Sequence, residues 1–263
     1  MKTGHKVSIG ICDNGTVNGT FSLMMAQLAM SRSSKLGPFV RVVGSGLLSR
    51  QRNKLVAQFL DGTDSDWLLM IDTDELLTVS NFDRLCNTAH DIDRPVTAGL
   101  VFAAFGSRDQ LYPTPVPTIF QDSDTGFSPL SLYPSDSIFQ VDAAGTGCLL
   151  VHRSVLQKMR DVADPNRGPM WAWFWDGPQN GNWIGEDMTF CRQVRALGFP
   201  IFVDTGVILP HEKNYWLHEA HHEEWLFVHE HRRLTRESAV ESADAVLAPE
   251  TAQETRRVRR AKT

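Results

Sequence analysis

Apolar residues along this chain gather into runs whose length and spacing predict the elements. Residues 7–12 (VSIGIC), 39–43 (FVRVV) and 67–71 (WLLMI) are short apolar runs bounded by turn residues, which is the pattern of strands. The 67–71 run is continuous rather than alternating, so it predicts a strand buried on both faces, as in a parallel sheet covered by helices. Between these runs a helix is expected over residues 21–29. A second is expected over 48–60, where Leu48, Leu55, Val56, Phe59 and Leu60 fall largely on one helical face. The resulting β-α-β-α-β order predicts right-handed crossovers and a ligand site beyond the carboxyl ends of the strands. Further along, a helix is expected from Asn81 and one more strand over 96–105 (VTAGLVFAAF). Residues 112–137, rich in Pro, Ser and Asp, predict a long excursion with short strands. Order returns over 139–151. Met188, Cys191, Val194 and Leu197 then share a helical face that stops at Gly198, a C-terminal cap, before a last strand at 201–204.

Composition narrows the class. The chain has 263 residues, 42% of them hydrophobic, enough for one α/β core over residues 1–235 with a tail over 236–263. That tail is poor in aromatics and ends Arg256-Arg257-Val258-Arg259-Arg260, which predicts a frayed helix or disorder. Net charge is −5, so nothing global points to nucleic acid or a membrane surface. Cys12, Cys86, Cys148 and Cys191 form no C-x-x-C pair, so reduced thiols and a cytoplasmic location are expected. The first residues lack a signal peptide's apolar core, and no window has the length of a membrane-spanning helix, so no membrane insertion is expected.

The chemistry starts where the 67–71 strand meets its acids, in D-W-L-L-M-I-D-T-D-E-L-L. Asp72 and Asp74 stand at the mouth of a buried strand, where two unpaired carboxylates repel each other and are costly to desolvate. In an extended segment the period of two places both on one side, so a divalent cation is the expected counter-charge. Magnesium or manganese takes such oxygen ligands and fills its remaining positions with water and substrate phosphates. Asp13 is expected at the same sheet edge. Glu75 is assigned no role beyond tuning the local charge.

Four stretches together resemble a known family: Ile9-Gly10-Ile11 with the turn after it, Arg50-Gln51-Arg52-Asn53, the pair Asp72 and Asp74, and Gly185-Glu186-Asp187. Over roughly residues 7–215 the chain resembles a glycosyltransferase of the GT-A fold, inverting and family-two-like, similar to small phage and bacterial enzymes. The resemblance implies a mostly parallel, Rossmann-like sheet with helices on both faces. It also implies transfer of a sugar from a nucleotide-diphosphate donor, UDP-type, to an acceptor hydroxyl on a protein, a glycan or a modified nucleobase. Carried over, Asp72, Asp74 and His211 would hold Mn2+ or Mg2+, and Asp13, Arg52, Asn53, Asp72 and Thr73 would contact the donor. Asp187 would be the general base, Glu186 its support, and Trp183 and Gly147 would meet the acceptor.

Each of these residues also has a plain structural use. Glu186 and Asp187 suit the first turn of any helix, and Arg52 suits an exposed helix surface. His211 is one of six histidines among the nine that lie between 211 and 231. His218 and His222 have i, i+4 spacing, which fits a solvated helical face at least as well as a metal site. Trp171, Trp173 and Trp175 alternate as a strand packed on one face would, or as a sugar platform would. Two other functions begin from the same residues: a haloacid-dehalogenase-like phosphatase with the first Asp as nucleophile, and a non-catalytic sugar- or nucleotide-binding module.

Overall fold

Strand and helix alternate through the first hundred residues as the apolar runs predict. A computed structural model describes residues 1–2, 4–44, 46–105, 113–124, 126–164, 166, 172–179, 181–214 and 219–230. The tail from 236, Trp171 and His218 lie outside the described residues. The elements in order are Val7–Asp13 (β1), Gly19–Arg32 (α1), Val40–Val43 (β2), Leu48–Gly62 (α2), Trp67–Ile71 (β3), Val79–Thr88 (α3), Val96–Leu100 (β4) and Phe102–Phe105 (β5). Then follow Thr114–Pro117 (β6), Ile119–Ser123 (β7), Gly126–Pro129 (β8), Ile138–Val141 (β9), Ala143–Ala144 (β10) and Cys148–His152 (β11). The last are Arg153–Val162 (α4), Gly177–Gln179 (β12), Asn182–Ile184 (β13), Glu186–Ala196 (α5) and Ile201–Ile208 (β14). Local chemistry sets several boundaries. Asn18 and Thr78 accept from Phe21 N and Asn81 N to start α1 and α3. α5 runs out at Gly198, whose φ of +85° only glycine adopts without strain.

The main sheet has the order β2-β1-β3-β11-β4-β14-β9. β2, β1, β3, β4 and β14 run one way, and β11 and β9 run the other. β3 is therefore parallel to β1 on one side and antiparallel to β11 on the other, within a sheet that is mostly parallel as expected. Burial on both faces holds because helices cover both. Leu68 and Met70 of β3 join Leu149 and Val151 of β11 in a core under α2, α4 and α5. Trp67, Leu69 and Ile71 join Cys148 and Leu150 in a second core under α1 and α3. The strand expected over 96–105 is two strands. β4 stays in the sheet, whereas at Val101 the chain turns out, and β5 pairs with β6 instead. The 112–137 excursion holds the short strands β6, β7 and β8.

Because β2, β1 and β3 are parallel, Asp13 at the end of β1 and Gly44 and Asp72 just after β2 and β3 all lie at the same sheet edge. The last strand runs past the expected Asp204 to Ile208, and so carries the chain to that edge at Leu209 and His211. All four cysteines are free thiols, and burial pushes Cys86, Cys148 and Cys191 up to about 12. A second unit comprises residues 108–112 and 214–263, of which a helix over 219–230 is described. On it His222, Trp225 and His229 stack in turn, with ring centroids 6.3 and 4.0 Å apart. Among the described residues no helix is long and apolar enough to cross a membrane.

Candidate active site

The segment after β3 is a turn rather than an extension of the strand. Asp72 N donates to Gly147 O at 3.0 Å, and Glu75 N donates back to Asp72 O at 3.2 Å. The expectation that Asp72 and Asp74 share one side of an extended segment therefore fails, since the period of two ends at Ile71. After the turn the chain pairs with residues 210–212: Leu76 N donates to Pro210 O at 3.0 Å and Glu212 N to Asp74 O at 2.7 Å, with a bridge between Glu75 and His211. This short ladder sets Asp74 and Glu75 beside His211.

Their side chains form one cluster. His211 Nδ1 lies 2.7 Å from the Phe102 carbonyl, which can only accept, so Nδ1 carries a hydrogen. Nε2 then faces Asp74 Oδ2 at 2.9 Å, and Lys213 Nζ reaches the same oxygen at 3.0 Å. Burial pushes the Asp74 carboxyl up, but the bonds from Lys213 and His211 outweigh it and hold the group below the usual carboxylate range. Glu75 is fully buried, and burial together with Asp72 and Asp74 pushes it up to about 9. One ligand atom each from Asp74, Glu75 and His211 lies within 4.8 Å of the others. Carboxylate and imidazole donors suit a divalent transition metal, and a histidine whose other nitrogen is fixed by a carbonyl is the usual form of a metal ligand.

Asp72 faces a different partner. Arg52 reaches from α2, with its side chain 6% exposed, and its Nη2 donates to both Asp72 oxygens at 3.0 and 3.2 Å. Its Nη1 donates to Glu186 at the start of α5. Arg52 is thus no exposed helix charge: it joins the turn after β3 to the Glu186-Asp187 pair. Beside it, Asp187 is held above the usual carboxylate range by burial first and by the neighbouring Glu186, with Arg52 opposing. The cap of α5, Gly185, has no side chain to offer, so both acids lie in the helix's first turn, and Asp187 accepts from Met188 N at 2.8 Å.

Other expected donor contacts have structural uses here. Asn53 is fully buried; its amide donates to Ser49 O and Phe174 O and accepts from Trp173 N and Phe174 N, each at 3.1 Å. No polar atom of it is left for a nucleotide. Asp13 is likewise consumed by Arg41, which donates at 2.8 Å, and by Gly15 N at 2.7 Å; the Arg41 bond holds its carboxyl below the usual range. Thr73 is half-buried in the turn. Gly147 supports the acids from below, where an added Cβ would come within 3.2 Å of Glu75 Oε1 and 3.5 Å of Asp72 Oδ2. Of the aromatic cluster, Trp173 belongs to the core and donates from Nε1 to Leu156 O at 2.8 Å, which removes it as a sugar platform. Trp183, on the β12-β13 hairpin just before Gly185, is 71% exposed.

Sequence reasoning missed the parts played by Glu75 and Lys213. A chemical signal for Glu75 was present, as a third acid directly after the pair, but nothing in the sequence assigned it more than tuning of the local charge. A cavity of about 460 Å³ lies at the carboxyl end of β2, lined by Val42, Gly44, Leu47, Arg50, Gln51 and Lys54.

No family model matches the chain, and no curated protein matches it. Similar chains do occur among solved structures. One is A197 from STIV, at 14% identity and a TM-score of 0.49, covering 81% of this chain and 97% of that one. GalNAc-T7, solved with UDP, GalNAc and Mn2+, is similar at 12% identity and a TM-score of 0.46, over 81% of this chain and 38% of that one. Drosophila β1,4-galactosyltransferase 7, solved with manganese, UDP-Gal and xylobiose, is similar at 15% identity and a TM-score of 0.44, over 80% and 71%.

Proposed function

We propose that the protein is a metal-dependent glycosyltransferase of the GT-A type. It would move a sugar from a nucleotide diphosphate, UDP-type, to an acceptor hydroxyl with inversion. The observation that carries this reading is the Arg52 bridge. One buried guanidinium holds Asp72, at the turn that presents Asp74 toward His211, and Glu186, beside the desolvated Asp187. A cation-competent cluster and a base-competent carboxylate thereby stand on either side of one residue at the carboxyl edge of the sheet.

In this reading Asp74 and His211 would hold Mn2+ or Mg2+, and the ion would supply Lewis-acid stabilisation of the charge on the departing diphosphate. Asp187 takes the proton from the acceptor hydroxyl. Its raised pKa makes it a stronger base than a solvated carboxylate, and such a base contributes roughly 10²–10⁴ in rate. Glu186, fixed by Arg52, orients the acceptor or supports the base. Arg50 and Lys54 give the cavity beside β2 the charge expected for the donor's nucleotide half. Trp183 offers an exposed aromatic face to the acceptor. The phosphatase alternative is not favoured, because its nucleophile would be Asp72, and both oxygens of that side chain lie against Arg52.

The test is incubation with a panel of nucleotide sugars and Mn2+, reading free nucleotide. Slow donor hydrolysis is expected; hydrolysis of a phosphomonoester without nucleotide release from any donor would overturn the proposal. Asp187→Asn should abolish transfer and leave donor binding nearly intact. In the unaltered protein the acid limb of the rate profile should lie above the usual carboxylate range, since activity falls as Asp187 becomes protonated.

A further inference from the structure

We infer that Glu75, and not Asp72, completes a three-ligand cation site with Asp74 and His211, so that the protein takes up Mn2+ before any nucleotide arrives. The inference deepens the metal-dependent reading above and rests on it only for the use made of the ion. Glu75 is 0% exposed, and neither of its carboxylate oxygens has a hydrogen-bond partner. Its Oε1 lies 3.2 Å from His211 Nδ1, but the hydrogen on that nitrogen points to the Phe102 carbonyl at 2.7 Å. The side chain caps no helix and binds no backbone N–H. A buried carboxylate without such bonds is costly, and metal coordination is one of the few arrangements that offsets the cost.

The direction of Glu75 supports the same assignment. Its Oε1 and an Asp72 oxygen flank the bare Cα of Gly147, where a side chain would crowd both. It offers an oxygen within 4.8 Å of ligand atoms from Asp74 and His211, so the three residues present their donors to one space. Asp72 is differently placed. Both its oxygens face Arg52, and drawing them to a metal would strip a buried guanidinium of one of its two carboxylates. Lys213, half-exposed and resting on the same Asp74 oxygen as His211 Nε2, is the cation that an arriving metal would displace.

Two consequences follow for the ion. Magnesium usually relies on one or two carboxylates together with substrate phosphates. Two carboxylates and an imidazole supply three protein ligands, so the site does not need the donor's phosphates to be filled. The imidazole shifts preference from magnesium toward manganese.

The test is titration of the full chain with Mn2+ in the absence of nucleotide, following the free-ion EPR signal, with melting temperatures measured with and without the metal. The unaltered protein should bind one Mn2+ more tightly than Mg2+ and melt higher with it. Glu75→Gln keeps the shape and removes a buried acid, so the metal-free variant should melt no lower than the parent. It should nevertheless bind Mn2+ about tenfold or more weakly and lose most of the metal-dependent rise in melting temperature. Asp72→Asn should change Mn2+ affinity less than Glu75→Gln does. The inference is overturned if Glu75→Gln binds Mn2+ like the parent, if Asp72→Asn is the more damaging change, or if the nucleotide-free parent binds no Mn2+ at millimolar concentration. Loss of Mn2+ binding in Glu75→Gln, together with no turnover of any nucleotide sugar by the Mn2+-loaded parent, would uphold this site and overturn the glycosyltransferase reading alone.

Discussion

Replacing Asn53 by alanine removes four hydrogen bonds at one stroke, and their geometry sets the size of the effect. The Ser49 carbonyl keeps its helical partner, so the loss falls on the Trp173 N–H, the Phe174 N–H and the Phe174 carbonyl, beside side chains that are 0% exposed. An unsatisfied buried polar group costs about 1–3 kcal/mol, and three neighbours that can share an entering water should cost about 3–5 kcal/mol together. Against a total stability of about 5–15 kcal/mol this is a large fraction. In urea unfolding with a slope of about 3 kcal/mol/M, the midpoint should fall by about 1–1.7 M. Asn53→Asp separates the contributions. It keeps an acceptor for the two N–H groups but turns an anionic oxygen toward the Phe174 and Ser49 carbonyls, which raises the folded pKa of the introduced carboxyl above its unfolded value near ~3.9. An acid with a raised folded pKa lowers stability above that pKa and stops doing so when protonated. The gap to the parent should therefore be widest at pH 8 and narrow toward pH 5. A loss below about 1 kcal/mol for Asn53→Ala, or a gap that widens in acid for Asn53→Asp, would refute the clamp. A tenfold loss of donor affinity with stability unchanged would return Asn53 to the nucleotide site.

Gly206→Ala should destabilise by about 2–3 kcal/mol through a neighbour rather than through its own backbone. An added Cβ would lie 2.1 Å from Arg84 Cζ, displacing the guanidinium from the buried Asp204, which it contacts at 2.7–3.0 Å. Arg84→Ala should cost a similar amount and the double variant little more than either; additive losses in denaturant melts would contradict the shared cause. At low pH, Asp83 is the group to watch, since hydrogen bonds from Arg32 and Lys35 hold its carboxyl down to about 2. A depressed folded pKa contributes stability that is full above the unfolded value and is lost as pH falls through about 2. Asp83→Asn should then cost about 1 kcal/mol at pH 6, a modest figure because both partners are a third or more exposed to solvent. Parent and variant should converge near pH 2, and a gap that stays constant from pH 6 downward would rule the pair out as its source.

The strands were legible wherever apolar runs are continuous. Residues 7–13 and 67–71 must be buried on both faces whichever neighbours they take, so their existence follows from pattern alone. The direction of those neighbours does not. β11 enters between β3 and β4 in the antiparallel sense, and its sequence Cys148–His152 would be equally apolar in a parallel place. The break at Val101 was hidden for a related reason: VTAGLVFAAF stays apolar while the chain leaves one sheet for another hairpin. Within the site, Asp74 and His211 were found by residue type and order, and the structure brings them together. Asp13 and Asn53 show the limit of the same method. A polar side chain at a strand end or on a helix has the same letters whether it faces a ligand or a backbone amide, and only burial and partners separate the two uses.

Ser49, Arg52 and Asn53 share one face of α2 at i, i+3 and i+4, and each engages a different part of the chain. Ser49 donates to Asp176 at 3.0 Å, Asn53 clamps the backbone of Trp173 and Phe174, and Arg52 spans Asp72 and Glu186. The segment leading to α5 is thereby fixed at two points before its acids appear, and the acids themselves are fixed at a third. Asp187 cannot shift far without moving Glu186, and Glu186 cannot move without releasing a buried arginine that also steadies the turn carrying Asp74 and Glu75. Ser49, Arg52 and Asn53 thus serve the site through protein contacts: they tie the candidate cation cluster and the candidate base into one unit. Rigidity of that kind is what a displacement needs when charge leaves at one end and a proton at the other, because neither group has to be brought into position during the reaction.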